Sequence, residues 1–187
     1  PAAALGQLSA PQGDVQFQRG ASGLVETLPP QGQVMLVAGD IVQTNSGPAH
    51  ISFFAGQSAE LLPDTRVRVL ELQTDGDATN VVLFQESGLS SHTVSGLANS
   101  GDRYELRTAV ARMIASEASF TVDLRTDGAA NVHATNGLVT VETAQDRAEV
   151  IADRTLQARA DGTLVLNPLT LQAETDTAAD GDAGAVA

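Results

Sequence analysis

The chain has 187 residues, with 23 acidic side chains against ten cationic ones and a formal charge of −13. Every cation is Arg; Lys, Cys and Trp are absent. That balance repels phosphate backbones and anionic lipid surfaces, and the lack of Cys removes disulfides, thiolate metal sites and cysteine nucleophiles together. The length suits a single domain, and no apolar run approaches the roughly 18 residues of a membrane helix.

In chain order, residues 1–11 are small and polar and are expected to be an N-terminal linker or arm. Pro1-Ala2-Ala3-Ala4 is either what a small-residue cleavage site leaves behind or an arbitrary start. From residue 12 to residue 172 the apolar period is two, the mark of half-buried strands. Val15 and Phe17 alternate first, and Val34 to Ala38 is a strand-sized apolar run. In Arg66 to Leu72 the apolar phase flips between Val69 and Leu70, which predicts a bulge or a change of sheet. Val81 to Phe84 is another strand-sized run. Thr108 to Ser119 has the only helix-like spacing, and strand is the preferred reading. Phe120, Val122 and Leu124 alternate with polar residues, as do Val139 with Val141, and Leu156 with Ala158 and Ala160.

Turn residues separate these runs: Asn45-Ser46-Gly47-Pro48, Asp75-Gly76-Asp77, Asn99-Ser100-Gly101-Asp102, Asp127-Gly128, Asn136-Gly137 and Asp161-Gly162. The expected fold is all-β, a stacked two-sheet sandwich or a short β-solenoid-like domain of many short strands. Residues 173–187 form an acidic low-complexity tail, with Glu174, Asp176, Asp180 and Asp182 and no Arg.

The order of several short boxes resembles the extracytoplasmic domain of the ferric citrate regulator (FecR) family. These are Gly13-Asp14-Val15, Gly39-Asp40-Ile41-Val42-Gln43-Thr44, Ile51-Ser52-Phe53 and Gly56-Gln57-Ser58. Leu62-Pro63-Asp64-Thr65, Val82-Leu83-Phe84 with Gly88, and Tyr104 to Thr108 follow. Phe120 to Val122 and Gly137 to Val141 close the set, which spans about residues 13 to 162. The departure is Glu117-Ala118, where the family has Gly-Thr. The resemblance implies a non-enzymatic module in the periplasm or at the bacterial cell surface. In such regulators the module lies beyond a membrane helix and relays a receptor's state to a sigma factor. Any membrane anchor would then lie outside this chain.

No catalytic set overlies this framework. Gly88-Leu89-Ser90-Ser91-His92 lacks the Gly-x-Ser-x-Gly elbow that exposes a nucleophile, so it is expected to be a polar strand. His50, His92 and His133 are too far apart for a zinc pair and are expected to be solvated. Asp75-Gly76-Asp77 and Asp180-Gly181-Asp182 do not complete a calcium loop. No phosphate-binding glycine loop occurs, and one Tyr is a poor wall for a sugar site. The sequence therefore indicates no catalytic residue, cofactor, metal, small-molecule substrate or nucleic acid, and points to a protein partner or self-association. One alternative is a structural subunit of an exported filament or layer that assembles through β-strand contacts. For that role Leu164, Leu166, Leu169 and Leu171 are the candidate interaction residues, unless they pack on their own domain.

Overall fold

The computed structural model describes residues 6–54, 56–75, 78–97, 99 and 101–167. The acidic tail, Leu169 and Leu171 lie outside these. Fifteen strands form, and no helix is found among the described residues. The first five are β1 (Gly6–Ala10), β2 (Val15–Gln18), β3 (Val25–Leu28), β4 (Gly32–Leu36) and β5 (Ile41–Thr44). The next five are β6 (Ala49–Ser52), β7 (Gln57–Leu61), β8 (Arg66–Asp75), β9 (Ala78–Val94) and β10 (Arg103–Arg107). The last five are β11 (Arg112–Leu124), β12 (Ala130–Glu142), β13 (Arg147–Ile151), β14 (Arg154–Ala158) and β15 (Leu164–Asn167).

Backbone hydrogen bonds join all fifteen into one mixed sheet that does not close into a barrel. Three long strands fold that network into two stacked layers. The first part of β9 pairs with β8 and β10, and its residues 88–94 pair with β11. Arg112–Arg107 and Ala115–Tyr104 bound the pairing of β11 with β10, whereas Ala118 to Leu124 pair with β9. In β12, Ala130 to Ala134 pair with β14, and Leu138 to Glu142 with β13. The first layer therefore runs β3-β2-β5-β8-β9-β10-β11-β12-β13. The second runs β4-β1-β6-β7-β9-β11-β12-β14-β15. Of the two stackings expected from sequence, the sandwich describes this arrangement.

A strand that leaves one layer for the facing one must invert which side chains point inward, because the core now lies on its other face. All three crossing strands do so. In β9 the core-facing set is Val81, Leu83 and Gln85, then Ser90, His92 and Val94, while Val82, also buried, lies on the opposite face. In β11 it is Met113 and Ala115, then Ala118, Phe120 and Val122. In β12 it is Ala130, Val132 and Ala134, then Val139 and Val141.

The inversions occur where the backbone can bend. Gly88 has φ 87°, and a Cβ there would sit 2.4 Å from the Thr65 hydroxyl. Gly137 has φ 71°, and a Cβ would meet the Glu117 carbonyl at 2.0 Å. Between them, β11 shifts register from Ala115 to Ala118. Asn136-Gly137 is therefore a bend inside β12, and the turn expected from sequence is corrected. A positive-φ glycine serves a kink as well as a hairpin.

The linker reading of residues 1–11 is also corrected for Gly6–Ala10. This segment is β1, held between β4 and β6, with Leu8 and Ala10 fully buried. Its inward positions are Gly6, Leu8 and Ala10, so only one of the three has a large apolar side chain. The phase change at Leu70 is a bulge, since register slips between Val69 and Glu71 while β8 stays in the first layer.

Gly88→Ala and Gly137→Ala are each expected to destabilise by about 2–4 kcal/mol, combining positive-φ strain with a backbone clash. Gly128→Ala, whose Cβ would meet nothing closer than Ala160 at 3.9 Å, is expected to cost only about 1 kcal/mol. Urea unfolding of the three variants checks the ranking.

Candidate functional site

The most distinctive sequence boxes turn out to be staples. Thr44 ends one box and Thr65 ends another, and the fold brings them together. The Thr44 hydroxyl donates to the Leu62 carbonyl at 2.5 Å and accepts from the Thr65 N–H at 2.9 Å. The Thr65 hydroxyl in turn donates to the Leu89 carbonyl at 2.9 Å, beside the Gly88 bend. Asp40, 1 % exposed, accepts from Arg19 Nη1 at 2.7 Å and from the backbone N–H groups of Gly20 and Val37. Asp14 holds Asn45 and Ser46 in the same way, and those hydrogen bonds lower its carboxyl to about 2.

His92 corrects the expectation of a solvated histidine: it is fully buried between the layers. Its ring stacks on Phe120 at 5.0 Å and meets Tyr104 edge-on. A hydrogen-bonded chain runs through it, and the proton inventory fixes its direction. Gln85 Nε2 donates to the carbonyls of Gly88 and Val122, so Gln85 Oε1 must accept from the Ser90 hydroxyl at 2.7 Å. Ser90 has then spent its only proton and accepts from His92 Nε2 at 2.7 Å. His92 Nδ1 is left to accept from the Tyr104 hydroxyl at 2.7 Å. Burial holds the imidazole neutral, with its pKa pulled down to about 3, and pushes the Tyr104 phenol up. The Ser90–His92 pair has the spacing of a nucleophile and its base, yet all members are sealed in the core.

This chain makes stability pH-dependent. His92 titrates near 6.5 when unfolded and near 3 when folded, so the unfolded state binds the extra proton between these values. The His92 contribution is complete above about pH 6.5 and falls by up to about 1.4 kcal/mol per unit as pH drops toward 3. Between about pH 6.5 and 5.5 most of the slope is expected to disappear in His92→Gln, as read from urea midpoints. At lower pH the depressed carboxyls of Asp14, Glu86 and Glu105 keep a slope of their own.

The other histidines sit apart. His50 is exposed on β6, 3.9 Å from Glu60, and His133 Nδ1 is 2.9 Å from the Thr155 hydroxyl. Among the described residues, no three His, Asp or Glu side chains gather as a metal would require.

The outer face of the first layer carries three Arg–Glu–Arg groups. Glu86 on β9 accepts from Arg66 at 2.7 Å and from Arg68 at 2.9 Å. Glu105 on β10 accepts from Arg103 and Arg107 of the same strand. Glu142 on β12 accepts from Arg112 of β11 and lies 3.4 Å from Arg147 of β13. Burial raises the Glu86 and Glu105 carboxyls, but hydrogen bonds from the paired arginines outweigh it and leave both below their ordinary values. The guanidinium side chains are 32 to 66 % exposed, while the three carboxylates are 26, 0 and 17 % exposed. Within these groups the cations are exposed and the carboxylates are covered, while Glu149 of β13, on the same face, is exposed.

The candidate residues Leu164 and Leu166 lie on β15, the open edge of the second layer, with Leu166 exposed. Their partners are Ala158 and Leu156, both buried; Leu164 is half-buried and packs against the core, whereas Leu166 stays exposed. At the opposite end of the second layer the open edge is β4. Neither edge carries a charged residue or Pro, the usual devices that blunt a free edge.

No protein-family model matches the chain, and no curated protein does. Two crystal structures share the fold, each described as a "putative anti-sigma factor" from Parabacteroides distasonis. They superpose with TM-scores of 0.55 and 0.56 at 17 % and 15 % identity, over 68 % of this chain. This chain spans 58 % of the length of each.

Proposed function

We propose that the chain is a non-catalytic, extracytoplasmic protein-interaction domain of a bacterial cell-surface signalling system, akin to the sensor modules of ferric citrate regulators. The observation that carries this reading is the likeness of its two-layer fold to structures described as anti-sigma factors. The ordered boxes support it, because Asp40, Thr44, Thr65 and Gly88 act as staples of that fold. The sealed Ser90–His92 pair favours an interaction module over a hydrolase.

A second reading, a subunit of an exported filament, is favoured by the uncharged edges β4 and β15 at opposite ends of one layer. Pairing β4 of one copy with β15 of the next is head-to-tail and would not close on itself. Light scattering after size-exclusion chromatography, with negative-stain imaging across a concentration series, separates the two. A monomer at every concentration is expected for the sensor domain. Fibres lengthening with concentration would replace that reading with the filament.

A further inference from the structure

We infer that the outer face of the first layer is a docking row for a short carboxylate-rich segment of a partner protein. The inference rests on the interaction-module reading and adds the chemistry of the partner.

Six of the ten arginines lie on this face, in a chain whose formal charge is −13. Strand registers bring four of them into one lateral line. Arg68 is opposite Phe84, Phe84 is opposite Arg107, and Arg107 is opposite Arg112. The line continues from Arg112 to Glu142 and on to Arg147. Six strands at their usual spacing make this row about 24 Å long, the span of seven or eight extended residues.

Arg107 and Arg112 carry the argument. They are directly opposed across β10 and β11, where like charges are destabilising. Each leans away to its own carboxylate, Glu105 or Glu142, and each of those also serves a second Arg. Every group therefore holds two guanidiniums on one carboxylate. The registers place Glu71 and Glu149 in the neighbouring line with Glu105, so the face carries six arginines against five glutamates and its positive excess is concentrated in this row. A bound carboxylate between Arg107 and Arg112 would relieve the repulsion and take up charge-assisted hydrogen bonds. Beside the pair, the Thr108–Ala111 turn borders a surface depression of about 270 Å³ lined by Arg107, Arg112 and Glu142.

The partner's chemistry follows from the rest of the molecule. The row is flat and broad, unlike a small-anion pocket. The acidic remainder of the protein repels a long polyanion, whose charges would extend past the row. A short acidic stretch of a protein fits both conditions.

The test is fluorescence anisotropy of the full chain with a labelled peptide of about eight Glu residues, at about 0.02 M and about 0.5 M salt. Binding is expected at low salt, absent for the matching Gln peptide, and lost at high salt. The double variant Arg107→Gln, Arg112→Gln is expected to weaken it roughly tenfold or more. Its thermal midpoint is expected to be lower, because Glu105 and Glu142 each lose a partner, with the β-type circular dichroism retained at the assay temperature. Arg125→Gln, outside the row, is expected to leave it unchanged. No binding, or binding indifferent to the double variant, overturns the inference. So does equal or tighter capture of phosphatidylserine vesicles or single-stranded DNA through the same arginines. A gain of roughly tenfold on neutralising Glu174, Asp176, Asp180 and Asp182 also overturns it, because the chain's own tail would then be the occupant. Failure of the row in a monomeric chain leaves the interaction-module reading standing, whereas fibres remove that reading whatever the peptide does.

Discussion

Everything in this structure depends on the inversion of side-chain direction where β9, β11 and β12 pass from one layer to the other. A flat fifteen-stranded sheet would leave one apolar face in water. The bends at Gly88, at Ala115–Ala118 and at Gly137 fold the sheet onto itself, so that the inward residues of both halves meet in one core. The β11 and β12 bends lie side by side, since Ala118 is opposite Gly137, whereas the β9 bend is opposite Leu124 and rests on the β8 side. Gly88 sits against Thr65, and Gly137 against Glu117 and Ala118.

The same folding explains the polar chain in the core. Where β9 changes layer, the backbone near Gly88 leaves a carbonyl facing inward, and Gln85 answers it. Ser90, His92 and Tyr104 extend that answer to β10, the strand with the parallel pairing. Each donor and acceptor in the chain is matched to one neighbour, so a slip of one residue in β9 or β10 would strand a buried polar group. Placed outside, the same strands present the arginine row. The first layer thus separates two kinds of polar chemistry: neutral and satisfied within, cationic and in excess without.

The alternation that betrays a strand was legible wherever inward residues are large and apolar, as in Phe120 with Val122 or Val139 with Val141. It failed where they are not. In β9 the inward positions Ser90 and His92 are polar, so no apolar alternation marks them as core. The signals that pointed the other way were Val94, two residues after His92, and a lone Tyr104 whose hydroxyl needs a partner if buried. In β1 small inward residues made a strand resemble a linker. The staples Thr44–Thr65 and the row from Arg68 to Arg147 join residues far apart in the chain, which local periodicity does not reach. Only Arg107 and Arg112, five residues apart around a tight turn, were close enough to suggest a facing pair.

The functional account adds a surface to this frame: a sandwich locked by its boxes, with a cationic line across one face of an otherwise acidic molecule. Its foundation is the change of partners along β9, and backbone proton–proton Overhauser contacts measure that directly. The account requires parallel contacts between residues 80–84 and 103–107 together with antiparallel contacts between Thr93 and Ser119. A β9 that keeps the same two neighbours from Ala78 to Val94 would contradict it.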